Sequence, residues 1–177
     1  MLPSAKRATY PLRQAAQTRY AHSVNPTLHC REATPTEAGI ITEFQLAMAW
    51  ETEELRLNPM KCSSGVMGVF EHPQRGHYYV AEENGKIVGS LLITYEWSDW
   101  RNGNIWWIQS VYVIPEARGK GVFKQLFQHI KTMAESDVQV CGLRLYVDGT
   151  NVRAKQIYQQ LGMDGEHYEI FEWIKEN

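Results

Sequence analysis

The sequence predicts a mixed α/β domain with a mostly antiparallel central sheet flanked by helices, and three observations predict it. Helical and strand periodicities alternate along the chain after residue 27. Asn84-Gly85, a hairpin dipeptide, joins two strand-like runs and makes them antiparallel neighbours. The apolar run 105–114 passes through a glycine turn directly into an amphipathic helix.

The elements follow in order. Residues 28–32 read as a short strand. Thr34-Pro35-Thr36-Glu37 is a helix start, with Thr34 as cap, Pro35 in the first turn and Glu37 as capping-box partner. Ile40, Ile41, Phe44, Leu46, Ala47 and Met48 form a helical stripe reaching Trp50. Asn58-Pro59 breaks the chain, and a second helix is expected over 60–70. Strands are expected at 78–81, 86–95 and 105–114, with a polar turn over 97–103. From Gly121 the period becomes helical again, with Val122, Phe123, Leu126, Phe127, Ile130, Met133 and Ala134 on one side. A strand is expected at 143–147. Asp148-Gly149-Thr150-Asn151 is a turn able to cap the next helix. That helix carries Ala154, Ile157, Tyr158 and Leu161 and stops at Gly162. A last strand is expected over 168–174.

The totals exclude several classes. A chain of 177 residues with 44% hydrophobic content argues for one domain with a sizeable core. A net charge of −2 gives no pull toward nucleic acid, and no apolar run reaches membrane-spanning length. Cys30, Cys62 and Cys141 are far apart and form no CxxC pair, and the histidines show no HExxH pattern, so no metal is expected. A reducing, cytoplasmic setting fits these thiols, with Cys141 read as buried filler ahead of a strand. Residues 1–27 form a basic arm, with Lys6, Arg7, Arg13 and Arg19 and no acid before Glu32. The arm reads either as a mobile or peripherally packed extension of a domain spanning 28–177, or as an organelle transit peptide.

The chemistry concentrates at Arg118-Gly119-Lys120-Gly121, where a strand delivers the chain into a helix. The first N–H groups of a helix lack internal partners, and the dipole is positive there. Two glycines let backbone approach an anion, and Arg118 and Lys120 add positive charge, so a pyrophosphate is a natural guest. The turn is not a Walker A loop, because Gly121 follows Lys120. It is not the dinucleotide fingerprint either, because Lys124 stands where the third glycine would be. A plain glycine-rich turn with solvated cations is the bland alternative.

The segment Val111-Tyr112-Val113-Ile114-Pro115-Glu116-Ala117-Arg118-Gly119-Lys120-Gly121-Val122-Phe123 resembles the cofactor-binding motif of the GNAT superfamily of N-acetyltransferases: a strand, then Arg or Gln, two residues, Gly, one residue, Gly or Ala. Asn151, Ala154, Tyr158 and Leu161-Gly162-Met163 resemble the family's second hallmark. The resemblance implies acetyl-CoA as co-substrate. Val111 and Val113 would offer backbone groups to the pantetheine arm. Arg118, Gly119, Lys120, Gly121, Val122, Phe123 and Lys124 would hold the pyrophosphate. Asn151 would either bond near the pantetheine or cap the last helix, and Tyr158 would be the general acid for the departing thiolate. Phe123 departs from the family's small residue; it is tolerated if it points inward along the helix stripe with Phe127 and Ile130.

An amine of pKa ~10.4 is only about one part in 10³ neutral at pH 7, so a base or water relay must take its proton. Many family members place a carboxylate on the strand before the turn, where this chain has Gln109-Ser110. Gln109 could orient a water or simply fill a polar spot. Glu51, Glu53, Glu54, Glu96 and Asp99 are the acids in the two regions that shape the family's acceptor pocket. All five are candidates for the base, Glu51 and Asp99 foremost, and these two, with Trp100, are also expected acceptor contacts, against the bland reading of solvated carboxylates. The aromatic residues Trp97, Trp100, Trp106, Trp107 and Tyr112 read mainly as core. The expectation is direct acetyl transfer to a primary amine, a small cationic one, by a chain compatible with a homodimer. Alternatives are a protein N-terminal or lysine acetyltransferase, and a non-catalytic acyl-CoA-binding module of the same fold.

Overall fold

The computed structural model describes residues 28–165 and 169–175. The expected basic arm and its transit-peptide alternative therefore lie outside the described residues. The chain runs β1 (Leu28–Glu32), α1 (Ala38–Glu53), α2 (Pro59–Glu71), β2 (His77–Glu83), β3 (Lys86–Ser98), β4 (Gly103–Val113), α3 (Val122–Ser136), β5 (Val140–Arg144) and α4 (Val152–Gln160). The strands form one sheet in the order β1-β2-β3-β4-β5. The first four are antiparallel neighbours, and β5 is parallel to β4.

Local chemistry sets the boundaries. The Thr34 N–H donates to the Glu37 carboxylate at 2.7 Å, at the entry to α1. Asn58 Oδ1 accepts the Lys61 N–H at 3.0 Å and caps α2, with Pro59 in its first turn. Asn84 and Gly85 both take positive φ, 52° and 78°, as the tight turn between β2 and β3 requires. α4 ends with Gly162 left-handed; the Met163 N–H donates to Tyr158 and the Gly162 N–H to Gln159, which satisfies the last carbonyls.

The sheet is covered on both faces. Val122, Leu126, Phe127 and Ile130 of α3 pack on Tyr79, Ala81, Leu91, Ile93 and Ile108. On the other face, Ala38 and Ile41 of α1 and Val66 of α2 pack on Tyr78 and Val80. Successive residues of β2 thus feed opposite cores, which is why 78–81 is apolar without alternation.

Five expectations need correction. β3 continues to Ser98 and β4 starts at Gly103, because Trp97 and Ser98 pair with Asn104 and Gly103, so the polar turn shrinks to 99–102. β5 is Val140–Arg144 rather than 143–147, because pairing with β4 begins at Val140 and ends at Arg144; beyond it the chain no longer pairs with β4, although β4 itself continues to Val113. Cys141 is accordingly within β5 and exposed rather than buried. Residues 169–174, the described part of the expected last strand, are not in a strand; Tyr168 lies outside the described residues. Of the aromatic group, Tyr112 is core, but Trp97 and Trp100 are exposed.

Candidate active site

β4 pairs with β5 only from Asn104 to Trp107, while its pairing with β3 continues to Val113. Past Trp107, the β5 side of β4 therefore has no strand neighbour among the described residues. This open edge leads straight into Arg118-Gly119-Lys120-Gly121. Gly119 and Gly121 have φ of 77° and 81°, a region costly for residues with a Cβ. No atom lies within 4 Å of where either Cβ would stand, so conformation makes these positions glycine and the space above the turn is open. α3 starts with no side-chain cap and no acid in its first turn. Its first internal bond is from the Gln125 N–H to the Gly121 carbonyl, 3.1 Å. The N–H groups ahead of Gln125 face outward at the positive end of the helix, flanked by Lys120 and Lys124. The turn is an anion cradle built from main chain.

Arg118 uses its side chain elsewhere. Its Nε donates to the Val113 carbonyl at 2.8 Å, and its Nη2 pairs with Glu51 Oε2 of α1 at 2.6 Å. The Tyr112 hydroxyl donates to the other Glu51 oxygen at 2.8 Å, and the guanidinium lies 5.4 Å from the Tyr112 ring centre. Partial burial tends to raise the Glu51 carboxyl, but the hydrogen bonds from Tyr112 and Arg118 outweigh it and hold the pKa below the ordinary 4.5. Glu51 is thus a braced anion joining α1 to the cradle.

A bulge makes this contact. Ser90 pairs with Tyr112 and Leu92 with Gln109, so Ser110 and Val111 together oppose Leu91. Ser110 takes a left-handed φ of 50°. The extra residue puts Tyr112 on the same face as Gln109, toward α1, where it packs at 5.2 Å against Phe44. Val111 and Val113 turn to the α3 side.

The α1 and α2 face of the sheet carries a row of polar side chains beyond the helices. Gln109 donates to Thr94 Oγ1. Glu96 accepts from Trp107 Nε1 and from Arg144 at 2.8 Å, and the Arg144 guanidinium stacks 5.3 Å from the Trp107 ring centre. The Trp107 bond first, then Arg144, hold the Glu96 carboxyl below its usual range against the opposing effect of burial.

Tyr158, on α4, packs beside the start of α3. Its ring meets Phe123 edge-on at 5.5 Å, and Phe123 in turn meets Phe127 at 6.2 Å. Phe123 therefore lies beside the core and wedges α3 against α4. Burial raises the Tyr158 pKa and keeps the phenol protonated. Asn151 Oδ1 accepts the Ala154 N–H at 3.0 Å, so the Asn151 side chain serves as the α4 cap.

Asp99 and Trp100 are not brought to this opening. They sit in the β3–β4 turn, where Asp99 accepts the Trp100 N–H. Gly103 is six residues of strand from Gln109, about 20 Å at ~3.3 Å per residue. The polar row had a signal in the sequence: Thr94 and Glu96, and Trp107 and Gln109, stand at period two in otherwise apolar strands. Arg144 had none, because its strand was read three residues late. Among the described residues no cluster of three metal-ligating side chains occurs, and no described helix is long and apolar enough to cross a membrane.

Residues 41–163 match the acetyltransferase (GNAT) family. This chain belongs to that family. A possible acetyltransferase from Clostridium difficile 630 is 38% identical, with TM-score 0.79 over 85% of this chain and 99% of that one. A Bos taurus thialysine N-epsilon-acetyltransferase is 34% identical over 43% of this chain and 44% of its own length. The chain spans about half the length of the curated relatives it matches. A predicted acetyltransferase from Clostridium acetobutylicum, whose structure is with acetyl-CoA, shares the fold at 16% identity, TM-score 0.64, over 85% of this chain and 96% of that one.

Proposed function

We propose that this protein transfers an acetyl group from acetyl-CoA directly to the primary amine of a small cationic acceptor. The observation that carries the reading is the open β4 edge running into an uncapped helix N-terminus, with a protonated tyrosine packed beside it. The cradle fits a pyrophosphate: its donors are main-chain N–H groups, its glycines are already left-handed, and nothing stands over them.

Acetyl-CoA supplies the acetyl group as an activated thioester. The N–H groups of the turn and of the first turn of α3 would hold the pyrophosphate, with Gly119, Lys120, Gly121, Val122, Phe123 and Lys124 contributing backbone or charge. Arg118 shapes the turn through Val113 and Glu51. The unpaired stretch of β4 around Val111 would bond the pantetheine arm as a neighbouring strand would. Tyr158 gives its proton to the departing sulfur; a phenol of pKa ~10 or above is protonated at neutral pH and needs position to make the transfer.

The acceptor side is the polar face of β3, β4 and β5. Gln109, held by Thr94, is placed to orient a water that takes the amine proton. Glu51 is the nearer carboxylate, but both its oxygens are bonded, so it holds the site's shape and charge rather than taking the proton. Glu51 and Glu96 carry the negative charge of this face, each set beside an arginine, and the Trp107 ring adds an aromatic surface that suits a cation. The test is release of free thiol from acetyl-CoA against a panel of diamines, amino acids with side-chain amines and peptides. Release with small cationic amines and not with peptides is the expected result. No release from any amine by protein that binds acetyl-CoA would leave an acyl-CoA-binding module instead.

A further inference from the structure

Phe123 stands where the family pattern has a small residue, and its main chain and side chain face different tasks. It follows Val122 in the first turn of α3, ahead of the first internal bond from Gln125, so its N–H is one of the outward donors of the cradle. Its ring goes the other way. It meets the buried Phe127 ring at 6.2 Å and the Tyr158 ring edge-on, at 5.5 Å and 67°. Edge-on contact at this separation is a favoured aromatic geometry. α4 has little else to fix its rotation about its own axis. None of its residues is fully buried, and Ala154, Ile157 and Tyr158 are half-buried. Its ends are tied, by the Asn151 cap at the start and by Leu161 and Met163 packing on the core after the finish. Between those ties, the ring contact of Tyr158 is with Phe123.

We propose that Phe123 is a positioning residue, whose ring seats the Tyr158 phenol against the sulfur of a thioester whose pyrophosphate the same residue's N–H helps to hold. The proposal rests on the acetyl-transfer reading above, with Tyr158 as the acid. As the C–S bond breaks, the Tyr158 proton forms the S–H bond, and the phenolate regains a proton from water. One residue then spans from the phosphate grip to the acid, main chain at one end and ring at the other. A Gly or Ala at this position has no ring to offer. The same contact shields the Tyr158 ring from water, in keeping with the burial that raises its pKa.

Phe123→Ala separates the two tasks, because it keeps the N–H and suits a helix. The test measures kcat and KM by thiol release in Phe123→Ala, Tyr158→Phe and the double variant. Phe123→Ala should lower kcat on the order of 10–100-fold, the effect of a misplaced group, and leave the KM for acetyl-CoA within about twofold. In the Tyr158→Phe background the same change should cost less than about twofold. Phe123→Leu, which keeps apolar bulk without the ring, should fall between wild type and Phe123→Ala. An undiminished loss in the Tyr158→Phe background, or a raised KM with kcat kept, would overturn the proposal; the second result would put the ring against the cofactor. The phenol gives a readout that needs no turnover. With isotope-labelled tyrosine, the Tyr158 NMR signal, assigned by its absence in Tyr158→Phe, should titrate above the ordinary tyrosine range in wild type and closer to it in Phe123→Ala. An unmoved titration also overturns the proposal. If wild type transfers no acetyl group to any amine, the acetyl-transfer reading fails by itself, and this titration still decides whether Phe123 seats Tyr158. If Phe123→Ala does not fold, Phe123→Leu carries both measurements.

Discussion

Around the glycine turn, the groups facing the opening are main-chain N–H donors, and their positions follow from two left-handed glycines and the start of α3. On the α1 and α2 face of the same strand, the outward groups are side chains: Gln109 on Thr94, Glu96 between Trp107 and Arg144, Glu51 between Tyr112 and Arg118. A backbone site is specified by conformation and accepts many residues. A side-chain site is specified by identity and by which strands happen to lie side by side. One end can therefore stay constant while the other is retuned without disturbing it.

The sharpest way to break this contrast is Tyr158→Phe, a side-chain change on the donor side. We expect turnover to fall on the order of 10²–10³-fold with acetyl-CoA binding nearly unchanged, measured by thiol release and calorimetry. Because burial raises the phenol pKa, the wild-type activity that needs its proton should persist through neutral pH and fall only on the far alkaline side. Equal losses in binding and turnover would make Tyr158 a packing residue.

Next in size, Gly121→Val should weaken acetyl-CoA binding by about tenfold or more, since a β-branched residue pays at least ~1–2 kcal/mol for a left-handed φ. Lys120→Ala and Lys124→Ala should each cost only a few-fold, with a larger loss at low salt. If the lysines matter more than the glycine, the cradle is a charge site and not a backbone one.

Glu51→Gln tests the brace between the two sides. It should raise the KM for acetyl-CoA several-fold by loosening Arg118, and cost no more than about 1 kcal/mol of stability, because the pair is partly exposed. The sign with pH follows from a depressed carboxyl. Its contribution is present above the ordinary value of 4.5 and is lost as pH falls through the lower folded value. The Tm advantage of wild type over Glu51→Gln should therefore shrink below that point and be steady above it. Smallest, Ser90→Ala should be neutral or gain about 1 kcal/mol, since the Ser90 hydroxyl is fully buried without a hydrogen-bond partner among the described residues.

The same division decides what was legible in the sequence. The Asn84-Gly85 turn, the α3 stripe and the glycine turn are local patterns, and each stands where it was expected. β5 was displaced because its limits come from pairing with β4, a long-range fact that the apolar run 143–147 does not carry. The same holds for the segment 168–174, whose composition suits a strand but whose described part, residues 169–174, is not in one. The brace needed Ser110 to be left-handed, and a serine gives no sign of that. Glu51 was singled out as an acid near the acceptor, but its partners, Tyr112 and Arg118, lie far along the chain.

The bulge at Ser110 also works as a half-period phase shift. Upstream of it, odd-numbered residues of β4 such as Trp107 and Gln109 are on the α1 and α2 face; downstream, an even-numbered one, Tyr112, is. Straightening the strand with that residue still in it would send Tyr112 into the α3 core, with Val111 and Val113 exchanged to the other side, whereas deleting Ser110 itself would leave all three on their present faces. The division between the two faces of β4 thus hangs on one extra residue being held out of the pleat, so β4 should accept many substitutions, and the loss of Ser110, far better than an inserted residue.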